Sequence, residues 1–154
     1  MRAYLSGGME NAPDLGRAWR EELTEWLSVE LDHSVFNPVE VQHRLMSQDE
    51  LENFRNWRFD ERNRFKSTVR KFIEGDLHAL ETEINYVICL WDNSVLKGGG
   101  THGEVTTAYW LGIPVYLVID IPFEDVSSWI LGCSSQEFDS FDSLKLFLLE
   151  KYGG

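Results

Sequence analysis

An α/β fold built on a parallel sheet is predicted by two features of this 154-residue chain. Short apolar runs of strand type alternate with segments whose apolar residues recur every three or four positions. Two of the strand-like runs lead into glycine-rich turns, at Ser6-Gly7-Gly8 and at Lys97-Gly98-Gly99-Gly100, as strands do when they feed loops at one sheet edge. With right-handed crossovers, the alternation gives a single-domain Rossmann-like (flavodoxin-like) sandwich over residues 1–154, with about four or five parallel strands flanked by helices.

Residues 1–6 alternate weakly and stop at Gly7-Gly8, a short buried strand turning into a loop. Pro13-Asp14 marks a helix start with Asp14 as cap, after which Leu15, Ala18, Trp19, Leu23 and Leu27 recur at helical spacing. Ser34-Val35-Phe36 reads as a second strand, ended by Asn37-Pro38 because proline has no ladder donor. Residues 41–66 form a charged, aromatic-studded helical insertion that no glycine or proline breaks. Helical spacing continues through Val69, Phe72, Ile73, Leu77 and Leu80. The run Tyr86–Trp91 is apolar throughout, as in a strand covered on both faces. A helix opens in the following glycine turn and runs to Leu111-Gly112, where glycine caps its end, and residues 114–119 form the fourth strand. A short helix at 126–131, a small strand at Gln136–Phe138 and a helix at 141–151 complete the chain.

Composition narrows the function classes. A chain that is 43% hydrophobic can bury a proper core, and no apolar run approaches the roughly 20 residues of a membrane span. The N-terminus lacks the pattern of a secretory signal, so a cytoplasmic location and no membrane partner are expected. A net charge of −12 repels polyanions, which excludes a nucleic-acid polymer as main partner and favours a small molecule. Cys89 and Cys133 form no disulfide framework or metal-ligand spacing, and His102 has no second ligand nearby, so no metal site is expected. Residues 54–72 hold seven of the 14 basic residues against two of the 26 acidic ones. Such a strip is either a solvated helix face or an attractor for a phosphate or an acidic partner.

The loop before the fourth helix carries the chemistry. Its glycines let backbone approach a ligand, and N–H groups at a helix start favour negative charge. It is neither a Walker loop nor a GxGxxG fingerprint. Glu104 falls in the first helical turn on this reading, where the dipole lowers its pKa and keeps it ionised, a nucleophile rather than an acid. Thr101-x-x-Glu104 also has capping-box spacing, the bland alternative.

Tyr4-Leu5-Ser6-Gly7-Gly8, Asp76-Leu77 ahead of the third strand, Gly100-Thr101-x-x-Glu104, and Ala108 with Gly112-x-Pro114-Val115 together resemble the nucleoside 2-deoxyribosyltransferase family and the related 2′-deoxynucleoside 5′-monophosphate N-hydrolases. A second resemblance, to the PGGxGTxxE loop of cytokinin-activating phosphoribohydrolases, is one residue short and has Lys97 for the proline. Both groups cleave an N-glycosidic bond. The first resemblance implies that Glu104 attacks C1′ of deoxyribose and forms a glycosyl ester, that Asp76 faces the leaving base, and that Tyr4 stands near the nucleophile. It places Ser6, Gly7 and Gly8 near the sugar or its 5′ substituent, and Gly100 and Thr101 lie in the motif that carries it and are taken as substrate contacts. Apart from the resemblance, Asp92 at a strand end is expected to project into the same cleft and the Gly98 N–H to meet a phosphate, with Lys97, Arg17 and Ser6 as helpers.

No cofactor is implied. The partners are a nucleoside or nucleotide and a free nucleobase, and the chain is expected to assemble as a homodimer or larger homo-oligomer, with Trp129 as a contact. For Asp76 to act as an acid, its pKa must be raised by burial or by Glu104. One departure stands out: where deoxyribosyltransferases carry an aspartate six residues before the nucleophile, this chain has Gly98. That favours cleavage over transfer between bases, and it leaves open a catalytically silent nucleotide-binding sensor of the same fold.

Overall fold

The computed structural model describes residues 1–154. Five parallel strands, β1 (Arg2–Gly7), β2 (Ser34–Phe36), β3 (Tyr86–Trp91), β4 (Val115–Ile119) and β5 (Gln136–Phe138), form one sheet in the order β2-β1-β3-β4-β5. Alternation along each strand sends neighbouring side chains to opposite faces. Ala3, Leu5, Tyr86 and Ile88 pack on Leu23 and Leu27 of α1 (Arg17–Leu31) and on Leu144 and Leu148 of α8 (Phe141–Tyr152). Tyr4, Val87, Cys89 and Trp91 face the other way, onto α5 (Arg62–Thr82), α6 (Gly100–Trp110) and α7 (Ser128–Cys133). Trp129, on α7, is exposed. No helix is long and apolar enough to cross a membrane.

Two expectations need correction. The insertion is not one helix: it folds as α2 (Pro38–Leu45), α3 (Gln48–Asn53) and α4 (Trp57–Asp60), and its last residues belong to the 21-residue α5. The break needs no glycine or proline, because Met46 is extended and Ser47 starts a new helix through a reciprocal capping box with Glu50. Helix α1 begins at Arg17, three residues after Asp14; the Asp14 carboxylate instead accepts the N–H groups of Gly16 and Ala18 at 2.8 Å.

What positions the carboxyl edge of the sheet is Arg20, a fully buried guanidinium on α1. Its Nε donates to the Leu5 carbonyl at 3.2 Å, Nη2 to Gly7 at 2.9 Å, and Nη1 to Gly16 at 2.8 Å and Gly8 at 3.5 Å. The side chain thereby ties the end of β1 to the start of α1. Gly16 has φ +69°, and a Cβ there would stand 2.2 Å from Arg20 Nη1. A Cβ on Gly8 would stand 1.8 Å from the Ser94 hydroxyl. Both glycines are required by close approach. Arg20→Met keeps a long side chain and removes every donor, leaving buried carbonyls unpaired. It is expected to lower the unfolding free energy by about 3 kcal/mol, read as a lower denaturant midpoint at unchanged slope.

Candidate active site

Strands β1 and β3 are neighbours, with Gly7 opposite Leu90, and their connections leave toward opposite sides of the sheet. Such a switch point opens a crevice at the carboxyl ends of the strands. A cleft of about 590 Å³ lies there, walled by the loop after β1, by α5, by the start of α6 and by the insertion. Asp76 and Glu104 both line it. A shallower hollow of about 400 Å³ beside Arg17, Glu21 and Arg44 contains neither carboxylate.

Glu104 reaches the cleft from the second turn of α6, since that helix starts at Gly100 with Gly99 as its cap. The capping box with Thr101 therefore does not form, and the expected lowering by the helix dipole does not decide the ionisation of Glu104. Packing around the carboxylate does: burial raises its pKa, while the Ser6 and Tyr4 hydroxyls and the charge of Arg20 pull it back. Ser6 Oγ donates to Glu104 Oε2 at 2.5 Å. Asp76 is pushed up to about 8, first by burial and then by the Glu104 charge. The Tyr4 hydroxyl is buried next to both carboxylates, which with burial raise its own pKa, and it makes no hydrogen bond of standard geometry to either. Two carboxyls thus meet at the floor of one cleft, with the Tyr4 hydroxyl buried beside them.

Gly7, Gly8, Gly98, Gly100 and Thr101 line the cleft. Ser6 does not; it is fully buried behind Glu104 and holds that carboxylate rather than facing the cleft. Asp92 also stands off the cleft wall: its carboxylate accepts from Ser94 N at 2.8 Å and Ser94 Oγ at 2.5 Å, capping the 3-10 turn Asn93–Val95. Lys97 and Arg17 are likewise absent from the wall. His102 sets its ring edgewise on Trp91, and no group of three or more His, Cys, Asp or Glu side chains is placed to hold a metal ion. Sequence reasoning passed over Arg20, which on an amphipathic helix looks like a solvent-facing charge. It set Arg55 and Arg58 in the basic strip at 54–72 as a solvated face or a phosphate attractor, without placing them, with Phe54 and Phe65, along the outer part of the cleft.

The fold and cleft define an α/β sandwich with a paired-carboxylate site at its switch point. Among solved structures, the chain is similar to a 2-deoxyribosyltransferase from Bacillus psychrosaccharolyticus, with TM-score 0.62 and 19% identity over 94% of this chain and 90% of that one. It is also similar to a conserved protein from Enterococcus faecalis V583, with TM-score 0.67 and 14% identity over 98% of both chains. A CMP N-glycosidase from Clostridium botulinum, BcmB, matches at TM-score 0.48 and 16% identity over 96% of this chain and 98% of that one. No family model and no curated protein matches the chain. The first two likenesses establish the shared fold.

The raised pKa of Asp76 has a consequence for stability. A carboxyl that titrates at about 8 when folded and at its ordinary 3.8 when unfolded binds more protons folded than unfolded, so stability falls as pH rises between those values. Asp76→Asn removes that loss. Its melting temperature should exceed that of the parent by an amount that grows up to about pH 8 and then levels off. The gain should be on the order of 1–2 kcal/mol, below the full linkage value because the side chain keeps solvent contact through the cleft.

Proposed function

We propose that the protein cleaves the N-glycosidic bond of a 2′-deoxynucleoside or its 5′-monophosphate through a covalent glycosyl ester on Glu104. One observation carries this reading: two carboxyls of unequal environment share the floor of one cleft, with Tyr4 beside both. The shared fold with a deoxyribosyltransferase supports it. In the first half-reaction a Glu104 oxygen bonds to C1′ as the C1′–N bond breaks, and the bonding pair leaves with the base. Asp76 delivers the proton that the departing nitrogen takes up. In the second, a water or another nucleobase attacks C1′, Asp76 takes the proton back, and Glu104 is released as carboxylate.

The division of labour follows from the surroundings. Two carboxylates in one poorly solvated pocket resist being charged together, so the pair carries a single negative charge near neutral pH. Glu104 has the Ser6 hydroxyl as an added donor, and Asp76 has no equivalent. The charge therefore falls on Glu104 and the proton on Asp76. A transition state with oxocarbenium character needs that arrangement, an anion under the anomeric carbon and a donor at the base. Gly98, Gly100 and Thr101, before and at the start of α6, line the same cleft, where their small size lets the sugar approach the backbone.

Incubation with each deoxynucleoside and deoxynucleotide, with and without added free base, followed by separation of products, tests the reaction. Released base is expected, and Glu104→Ala should lose several orders of magnitude in rate. Ligand-induced thermal stabilisation with no base released from any compound would overturn the reading in favour of a binding protein. Because the proton donor is Asp76, kcat should fall as pH rises through about 8. In Asp76→Asn that limb should vanish and kcat should drop by roughly 10²–10⁴. Ser6→Ala should lower kcat by about 10–100-fold with little change in KM, and should move the acidic limb of the profile upward, since the carboxylate form of Glu104 loses a donor.

A further inference from the structure

The basic strip at residues 54–72 is sorted by the fold into groups with different roles. Arg64 pairs with Asp49 and Glu61 and lies over the Trp57 ring at 3.6 Å, and Lys71 pairs with Glu50 at 2.5 Å. Arg62, Lys66 and Arg70 are exposed and stand away from the cleft. Only Arg55 and Arg58 line it.

These two guanidinium groups are mounted alike. Phe54 and Phe65 stack with centroids 6.3 Å apart and planes 8° from parallel. Arg55 lies over Phe54 at 5.4 Å and Arg58 over Phe65 at 5.1 Å. Stacking on a ring face fixes a guanidinium while leaving its edge N–H donors free for a planar or tetrahedral oxyanion. Arg58 also bridges to Glu10 on the facing loop at 2.7 Å, tying the insertion to the opposite wall, whereas Arg55 has no carboxylate partner. Asp76 and Phe65 are eleven residues apart on α5, so the ring under Arg58 is mounted about 16 Å along the helix axis from Asp76.

The electrostatic balance points to the occupant. The chain has net charge −12 and the cleft floor carries Asp76 and Glu104, a field that repels an anion. A neutral nucleoside needs no cation in this cleft. A nucleoside phosphate does, and a guanidinium without a partner, held flat on an aromatic ring, is suited to bind it through paired N–H donors. We propose that Arg55, on a platform braced by the Arg58–Glu10 bridge, is the phosphate-recognition residue of this cleft, and that the substrate is a phosphorylated nucleoside. The proposal rests on the N-glycoside reading for its chemistry, and it extends that reading by assigning substrate class to the insertion.

The test compares a deoxynucleoside with its 5′-mono-, di- and triphosphates. Turnover is followed with the parent protein, and thermal stabilisation with Glu104→Ala, which binds without turning over. At least one phosphorylated form should surpass the nucleoside by about tenfold or more in kcat/KM and should stabilise at lower concentration. Arg55→Gln should remove that preference by raising KM for the nucleotide at nearly constant kcat, while the nucleoside is unaffected. Arg55→Lys should restore part of it, and Arg62→Gln, on the same strip but off the cleft, should change nothing. The nucleotide KM should rise with ionic strength and the nucleoside KM should not. Equal use of nucleoside and nucleotides, or an Arg55→Gln protein with the parent's preference, would overturn the proposal and leave the bond-cleavage reading intact. Phosphate-dependent stabilisation through Arg55 with no base released would have the reverse outcome.

Discussion

A buried guanidinium with no carboxylate in direct contact is an expensive thing for a fold to hold, and in this protein it is Arg20 that sets where the cleft floor lies. Its desolvation is offset by backbone carbonyls of Leu5, Gly7, Gly8 and Gly16 and, at longer range, by the charge of Glu104. The last strand residues and the first loop residues of β1 are thereby fixed against α1. Ser6 lies between two of those carbonyls, so its hydroxyl is delivered to Glu104 by the same set of bonds. Gly16 and Gly8 are small because Arg20 and Ser94 occupy the space a side chain would need. Sequence, backbone conformation and the position of the candidate nucleophile are linked through one side chain.

The same neighbourhood explains why two carboxyls can take opposite roles. Burial raises both, and the Glu104 charge further opposes ionisation of Asp76. What breaks the symmetry is the Ser6 hydroxyl at 2.5 Å on one side only. Tyr4, buried beside both with its ring stacked on Phe36, adds a hydroxyl whose hydrogen-bond capacity is not met by standard geometry.

The strands and their parallel arrangement were legible in the sequence because they depend on local pattern and on alternation with helices: the apolar run Tyr86–Trp91 permits little but a buried parallel strand, and the structure sets it at the centre of the sheet. Glu104 and Asp76 stood out as chemistry-bearing residues, and the fold brings both to one cleft. Their ionisation was not legible, since it depends on burial and on a helix start that glycines leave undefined; a start at Gly100 puts Glu104 beyond the dipole's reach. The insertion was read as unbroken for want of glycine or proline, although Ser47-x-x-Glu50 carries capping-box spacing in the sequence and does start a new helix. Arg20 was invisible, and Arg55 was legible only as one member of a basic strip, because a basic residue in a helical segment looks solvated until the tertiary structure shows what it faces.

The central claim is that Glu104 becomes bonded to a sugar carbon during turnover. A 2′-fluoro-arabinosyl nucleotide tests it most directly, because fluorine at C2′ destabilises the cationic transition state and slows release of the ester. Intact-mass measurement after mixing should show the protein heavier by the fluorinated sugar phosphate, with peptide mapping locating the added mass on Glu104 and none on Glu104→Ala protein. Base release from the natural substrate without any trapped adduct, or an adduct on a different residue, would contradict the account.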